Sequence, residues 1–434
     1  MADIIEELSW RGLLAISTDL DELRAAFTSG QVTAYGGFDP TAPGLHIGNL
    51  VLLITLRRLQ LAGHRPIGLV GGATGLIGDP GGKSAERVLN EPEVVAEWTE
   101  RLRAQVERIL DFDAGPASAL LASNLDWTQN LSTLDFLRDI GKHFSVNQML
   151  ARESVKARLE GSGISYTEFS YQLLQAMDYL ELHRRHGCTL QVGGSDQWGN
   201  LVAGVDLIRR VESSSVHALA TPLITKPDGT KYGKTEGGAI WLSPEMTSPY
   251  EFYQFWLNRA DAEVGNLLRV FTFRSREEIA GLELATTERP AAREAQRALA
   301  EDVTTLVHGH GEYERAVAAS RALFGQGDLH ALDEATLRAV MAEAPSTVVP
   351  GAAALSAISE LMVQVGIETS KSAARRAIAG GGAYLNNRKV TDPDEIPAAS
   401  DLLCGKFLVL RRGTRTTGVV EVAAGGPSGV PGSI

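Results

Sequence analysis

Two rhythms of apolar residues alternate along the first two hundred positions. Ile47, Leu50, Val51, Ile54 and Leu61 fall at the spacing of one buried helical face, and Leu173, Leu174, Met177 and Leu180 do so again. Between such stretches lie short apolar runs bounded by turn residues, which read as strands. The pattern predicts strands over 32–38, 66–70, 119–123 and 189–192. It predicts helices over 46–62, 91–110, 169–185 and 200–211, with Pro92 in the first turn of the second. Residues 1 to about 30 read as helical, over 8–14 and 20–27, with Thr18 or Asp19 as the cap of the latter. Residues 135–159 read as mostly helical. Strands and helices in alternation imply an α/β fold, a Rossmann-type doubly wound parallel sheet with helices on both faces.

After Pro222 the strand signal fades. Helical periodicity over 248–258, 261–271, 276–284 and 291–307 reads as a separate helical domain. Gly325, Gly327, Pro345 and Pro350 punctuate a mixed stretch, 327–353, that reads as a linker. A small α+β module is expected over 354–423, and the Gly/Pro-rich end, 424–434, is expected to be disordered. The domain plan is thus 1–222, 223–326, 327–353, 354–423 and a tail.

With 44% hydrophobic and 22% charged residues, the chain has the composition of a soluble globular protein. No apolar run is long enough to cross a bilayer. The acidic start, Met1 to Glu7, lacks the features of a signal peptide. Cys188 and Cys404 are the only cysteines, so no disulfide framework is indicated and a cytoplasmic location is expected. The formal net charge of -12 argues against non-specific nucleic-acid binding by the whole. Residues 371–415 differ, with nine Lys/Arg against four Asp/Glu, which suggests one local face for a polyanion.

The chemistry concentrates in three blocks. In 35–49, a strand breaks at Asp39-Pro40, loops through Gly44 and opens a helix near His46. Free N–H groups and the positive end of the helix dipole make that turn an anion site, with His46 as an added donor. Gly44 and Gly48 leave room for a flat group against the backbone. In 193–200, glycines and Asp196 stand at a strand's carboxyl end, where Asp196 suits ribose hydroxyls. In 226–235, Lys231 and Lys234 flank Gly233 on a turn-rich loop. Mobile lysines there can meet charge that builds on departing pyrophosphate. Tyr171, Gln175 and Asp178 share one face of a helix, which marks a ligand site or an internal network. Gly82-Lys83-Ser84 ends like a P-loop, but Ile77 stands where the first glycine belongs, so a P-loop is rejected. His183, His186 and Cys188 have metal-like spacing without a fourth ligand, and a structural role is preferred to zinc.

His46-Ile47-Gly48-Asn49 resembles the HIGH signature of class I aminoacyl-tRNA synthetases, with an amide donor in place of the last histidine. Lys231-Tyr232-Gly233-Lys234-Thr235 resembles their KMSKS element. In this order, with Gly193 to Asn200 and with Tyr166 to Asp178, the motifs resemble the bacterial tyrosyl-tRNA synthetase family over nearly the whole chain. The resemblance implies activation of tyrosine by ATP and its transfer to tRNA. It implies phenol recognition by Tyr35 and Asp178, and amino-group binding by Asp79, Tyr171 and Gln175, with Gln197 also at the tyrosine. Gly37, Asp39, His46, Gly48, Asn49, Gly194, Asp196 and Lys234 are implied at ATP. Thr41, His46, Lys83, Arg87, Lys231, Lys234 and Thr235 are implied in stabilising the transferring phosphates. The first domain would carry an inserted helical dimerisation segment, and the helical domain would bind the anticodon region.

Residues 369–390 resemble an S4-type RNA-binding module, with Lys371, Arg375, Arg376, Arg388 and Lys389 as the implied RNA contacts. The nucleophilic carboxylate of tyrosine is already ionised, so the first step needs no general base and rests on positioning and charge stabilisation. Mg2+ is expected with the ATP phosphates, zinc is not, and no residue is assigned as a protein metal ligand. Tyrosine, ATP, tRNA and a second copy of the chain are the expected partners. Two alternatives remain: a small-molecule nucleotidyltransferase, which has no use for the basic module, and a catalytically silent synthetase-like RNA-binding protein.

Overall fold

A computed structural model describes residues 3–79, 89–151, 153–159, 163–225, 232, 234–235, 238–323, 327–413 and 416–423, with backbone alone at 153, 154, 157, 234, 235, 342 and 343. The chain forms two compact units: Met1–Met246 with Arg259–Val307, and Thr247–Asn258 with His308–Ile434. The helical region expected as one domain over 223–326 is therefore divided between them.

The first unit is built on a six-stranded sheet. Its strands are β1 (Ile16–Ser17), β2 (Thr33–Phe38), β3 (Arg65–Val70), β4 (Leu120–Ser123), β5 (Cys188–Gly194) and β6 (His217–Thr221), in the order β1-β6-β5-β2-β3-β4. All neighbours pair parallel except the short β1, which runs against β6. The strand order reverses beside β2: the chain leaves β2 for β3 on one side and returns after β4 to β5 on the other. Crevices at such a reversal, outside the carboxyl ends of the strands, are where open α/β sheets bind ligands.

The helix Ile47–Leu61 is buried almost all round, which its apolar run demands. Gly36 lets it approach β2: a Cβ there would lie 3.0 Å from the Leu52 side chain. Pro92–Ile109 buries the stripe Val95, Leu102, Val106 and Ile109. Tyr166–His186 packs Ala176, Met177, Tyr179 and Leu180 into a core shared with Tyr35, Leu69 and Leu207.

Several expectations shift. The first helix is Ile4–Trp10, not 8–14, because Asp3 caps it and Gly12 turns the chain at φ +71°. Asp19 caps the second, Leu20–Ser29. The stretch 135–159 is mostly helical, as expected, but in short pieces, among them a π-helical turn at Phe136–Ile140 and the helices Val146–Leu150 and Glu153–Leu159.

In the second unit, a five-stranded sheet runs β11-β10-β12-β13-β9. These strands are β9 (Ser346–Val349), β10 (Ala383–Leu385), β11 (Arg388–Lys389), β12 (Phe407–Arg412) and β13 (Thr416–Val422), while β7 (Lys234–Thr235) and β8 (Gly238–Ala239) form a hairpin in the first unit. The stretch 327–353 is not a linker. It contains the helix Glu334–Glu343 and β9, which pairs parallel with β13. Leu329, Leu337 and Val340 are buried against Phe407, Val409 and Val419, so burial holds this stretch where its turn residues suggested a hinge. The tail 424–434 lies outside the described residues.

Candidate active site

The carboxyl ends of β2, β3, β4 and β5 each deliver polar side chains to one crevice. After β2, Asp39 turns the chain; its carboxylate accepts from Thr74 Oγ1 (2.7 Å) and from Tyr171 Oη (2.5 Å). Gly71 is required there, since a Cβ would lie 2.0 Å from Asp39 Oδ1. After β4, Asn124 donates through Nδ2 to Thr74 Oγ1 (2.9 Å) and to Asp178 (3.0 Å), while its Oδ1 accepts from Ala73 N (2.7 Å). Trp127 Nε1 donates to the other oxygen of Asp178 (2.9 Å). The chain Tyr171–Asp39–Thr74–Asn124–Asp178 thus ties the strand ends to one face of the Tyr166–His186 helix.

Two features of this network point to a missing polar ligand. Asp178 is 2% exposed, and burial pushes its carboxyl up to about 7 despite the donors Asn124 and Trp127. Tyr35 is also 2% exposed, and its hydroxyl makes no hydrogen bond among the described residues. Burial, then the Asp178 charge, raises the Tyr35 phenol well above its ordinary value. A buried hydroxyl without a partner costs about 1–3 kcal/mol, which a small ligand carrying its own hydroxyl can recover. Tyr171 is raised in the same way, by burial and then by Asp39 and Asp79.

Among the amino-group candidates, Asp79 acts on Tyr171. Gln197 Nε2 donates to Asp79 Oδ2 (2.6 Å), and Asn200 Nδ2 donates to Gln197 Oε1 (2.8 Å). Gln175 is half-buried on the same helix as Tyr171 and Asp178.

The nucleotide candidates form a second cluster. His46 is the N-cap of Ile47–Leu61: its Nδ1 accepts from Gly48 N (3.0 Å), and Asn49 Oδ1 accepts from His46 N (3.1 Å). Asn49 therefore has a capping task that its reading as an ATP contact left out. Gly48 is forced by that ring, because a Cβ would lie 2.8 Å from it. Gly37 and Thr41 are exposed, and Asp196 is exposed with a carboxylate folded over Gly194. The segment after β8 lies along this turn: Ile47 N donates to Ile240 O (3.1 Å) and Leu242 N to Leu45 O (2.7 Å). The base of the lysine loop is thereby fastened to the His46 turn. Lys83, Arg87 and Lys231 lie outside the described residues, and Lys234 and Thr235 are described only as backbone of β7.

In the second unit the basic candidates are exposed. Lys371 pairs with Glu360, Arg375 with Asp394 and Arg388 with Glu395. Arg376 and Lys389 make no ion pair among the described residues. Elsewhere, His183 Nδ1 contacts Cys188 O (2.8 Å), and burial pushes the Cys188 thiol up to about 12. No group of three His, Cys, Asp or Glu residues suited to a metal occurs among the described residues.

Sequence reasoning missed Asn124, Trp127, Thr74 and the Asp39–Tyr171 contact. Their only local sign is the turn that follows a short strand.

The chain is similar to known proteins over most of its length. Residues 28–325 match the family described as tRNA synthetases class I (W and Y), and residues 337–419 match the tyrosine–tRNA ligase SYY-like C-terminal domain. The chain is 62% identical to a tyrosine–tRNA ligase of Streptomyces avermitilis, over 98% of this chain and 100% of that one. It is 61% identical to that of Streptomyces coelicolor, over 97% and 99%. A crystal structure of a C-terminally truncated mitochondrial tyrosyl-tRNA synthetase of Aspergillus nidulans superposes with a TM-score of 0.68 at 32% identity, covering 74% of this chain and 94% of that one.

Proposed function

Since the chain belongs to the tyrosine–tRNA ligases among the class I tRNA synthetases, we infer that the two clusters at the sheet's carboxyl edge divide its reaction between them. The enzyme activates L-tyrosine with ATP, giving tyrosyl-adenylate and pyrophosphate, and then transfers tyrosine to the 3′ end of its tRNA. Nothing in the comparisons favours a silent RNA-binding protein.

The tyrosine phenol sits between Asp178, which accepts its hydrogen, and Tyr35, which donates to its oxygen. Tyr171, Gln175, Asp79 and Gln197 hold the ammonium group, a task suited to their phenol, amide and carboxylate oxygens, all of which can accept. The single observation that carries this reading is the unpartnered hydroxyl of Tyr35, buried beside the carboxylate of Asp178. ATP lies across the His46 turn, with Gly37, Asp39, Gly48, Asn49, Gly194 and Asp196 around its base, ribose and α-phosphate. The tyrosine carboxylate attacks the α-phosphorus in line, and pyrophosphate leaves. His46, Thr41, Lys83, Arg87, Lys231, Lys234 and Thr235 meet the charge that develops on the phosphates. Mg2+ would accompany the ATP phosphates and neutralise part of their charge.

Lys371, Arg375, Arg376, Arg388 and Lys389 hold the RNA backbone. The pairs that Lys371, Arg375 and Arg388 make with surface carboxylates are weak enough to be exchanged for phosphates. The linear plan of a helical anticodon-binding domain and an S4-like module is retained as a division of labour, with 327–353 counted as part of the second. A homodimer is supported by apolar side chains exposed along 134–166, including Leu134 (78%), Val146 (59%) and Tyr166 (70%). A cytoplasmic location suits two unpaired cysteines and the lack, among the described residues, of a helix long and apolar enough to cross a membrane.

Tyrosine-dependent exchange of pyrophosphate into ATP, run without tRNA, tests the site. Wild-type exchange and a drop of about tenfold or more in kcat/KM for tyrosine in Tyr35→Phe are expected, since a buried acceptor is left unpaired. Unchanged kinetics in that variant would remove Tyr35 from the site.

A further inference from the structure

Resting on that reading of the phenol slot, we propose that it binds its ligand only with a single proton shared between the phenol oxygen and Asp178. Tyrosine analogues whose phenol is ionised in solution are then rejected unless they take up a proton on binding. This rule selects among phenols of the same shape.

The donors already present dictate it. Both oxygens of Asp178 accept hydrogen bonds, and both donors are neutral. Neither can be turned toward a phenolate. Trp127 has one N–H, and it is used. Asn124 spends both amide hydrogens on Asp178 and Thr74, and its oxygen is held by Ala73 N. Tyr35 has one hydrogen to give. A phenolate in the slot would receive that bond alone and face a carboxylate at hydrogen-bond distance, two like charges in a buried site.

Among the described residues no cation pairs with Asp178. The charged groups that bear most on Asp178 are Asp39 and Glu181, both acidic. Tyr171, on the same helix, feels the Asp178 charge, and Tyr35 of β2 feels Asp178, Cys188 of β5 and Tyr179 of that helix. All four are acids that burial holds protonated. Arg185 lies over the Trp127 ring at 5.3 Å from its centroid, with a side chain 45% exposed and paired to Glu181. The phenol and Asp178 therefore titrate as a unit. With one proton between them the unit carries one negative charge, as the empty slot does with Asp178 ionised. With none it carries two.

The test is equilibrium binding, to the full chain without ATP, of tyrosine and of a ring-fluorinated tyrosine whose phenol ionises near neutral pH. The quantity read is the ratio of the two affinities between about pH 7 and pH 9, below the ordinary tyrosine pKa of about 10. Titration of the ligand's amino group is common to both and cancels. A steric clash with fluorine lowers the ratio equally at every pH. The expected result is a ratio that falls tenfold per pH unit once the analogue's phenol is ionised. A flat ratio overturns the one-proton rule while tyrosine binding, and with it the site, stands. If tyrosine itself does not bind, the underlying reading fails instead. Asp178→Asn replaces the carboxylate by a neutral amide, and its ratio is expected to flatten while tyrosine binds more weakly; a slope kept in that variant shows that Asp178 is not the partner in the shared proton. Should the variant not fold, the wild-type slope still decides.

Discussion

The tyrosine crevice and the basic face of the second unit both carry charge to a ligand, but they hold it in opposite ways. In the crevice, the functional carboxylates are held by neutral donors, Asn124 and Trp127 on the buried Asp178, Thr74 and Tyr171 on the half-buried Asp39. On the basic face, Lys371, Arg375 and Arg388 are exposed and held by surface carboxylates. Buried polar networks are costly to break and select one shape and protonation state of a small ligand. Exposed pairs are worth about 0–1 kcal/mol and yield to the first phosphate that arrives, with strong sensitivity to salt. Discrimination of an amino acid and retention of a polyanion thus call for different physics within one chain.

Asn124→Ala should separate the two regions most sharply. It leaves Asp178 and Thr74 each short of a donor, at about 1–3 kcal/mol, or roughly 5- to 150-fold in kcat/KM for tyrosine. The KM for tRNA should not move. A tyrosine effect below about twofold would mean that Asp178 keeps its position without Asn124. Gly48→Ala comes next. Its Cβ meets the His46 ring at 2.8 Å, so the ring must leave its capping position. Pyrophosphate exchange should slow by about tenfold, given the sensitivity of transfer to small displacements, while tyrosine affinity measured without ATP stays at the wild-type value. Loss of tyrosine affinity as well would show that the two clusters are one.

These first two predictions mark what could be read from the chain and what could not. Parallel strands and the long helices stand out because their apolar periods are strong, and Tyr171, Gln175 and Asp178 announce themselves by sharing a helical face. Asn124 and Trp127 follow a four-residue strand and act across more than fifty residues of sequence, where no period operates. Strand β6 was missed because all five of its residues are buried, which erases the alternation that marks a half-exposed strand. The stretch 327–353 was misread because Gly and Pro at its flanks suggest a hinge, whereas Leu337 and Val340 are inserted in a core completed by residues far later in the chain, Leu403, Phe407, Val409 and Val419. In the same way, the nine cations of 371–415 were visible, but not the carboxylates Glu360 and Asp394 that two of them face.

Acid pH should sharpen the comparison at the crevice alone. The Asp178 carboxyl is raised to about 7, and a phenol donates more strongly to the ionised form. Tyrosine affinity should hold above that value and fall as pH drops through it, by up to about tenfold per unit. The affinity for tRNA in the same buffers gives the reference. Equal affinity at about pH 6 and pH 8 would place the titration of Asp178 elsewhere. The smallest expected effect is that of Arg375→Ala: within about threefold in KM for tRNA, with a log–log salt slope shallower by roughly 0.7–0.9. An unchanged slope would remove Arg375 from the phosphate contacts.

The most direct measurement is a crystal structure of the enzyme with a non-hydrolysable tyrosyl-adenylate analogue. The phenol oxygen should stand within hydrogen-bond distance of both Tyr35 Oη and Asp178, with the phosphate against the turn at His46 and Gly48. A ligand whose ring lies outside the strand ends of β2 and β5, leaving the Tyr35 hydroxyl still without a partner, would contradict the account.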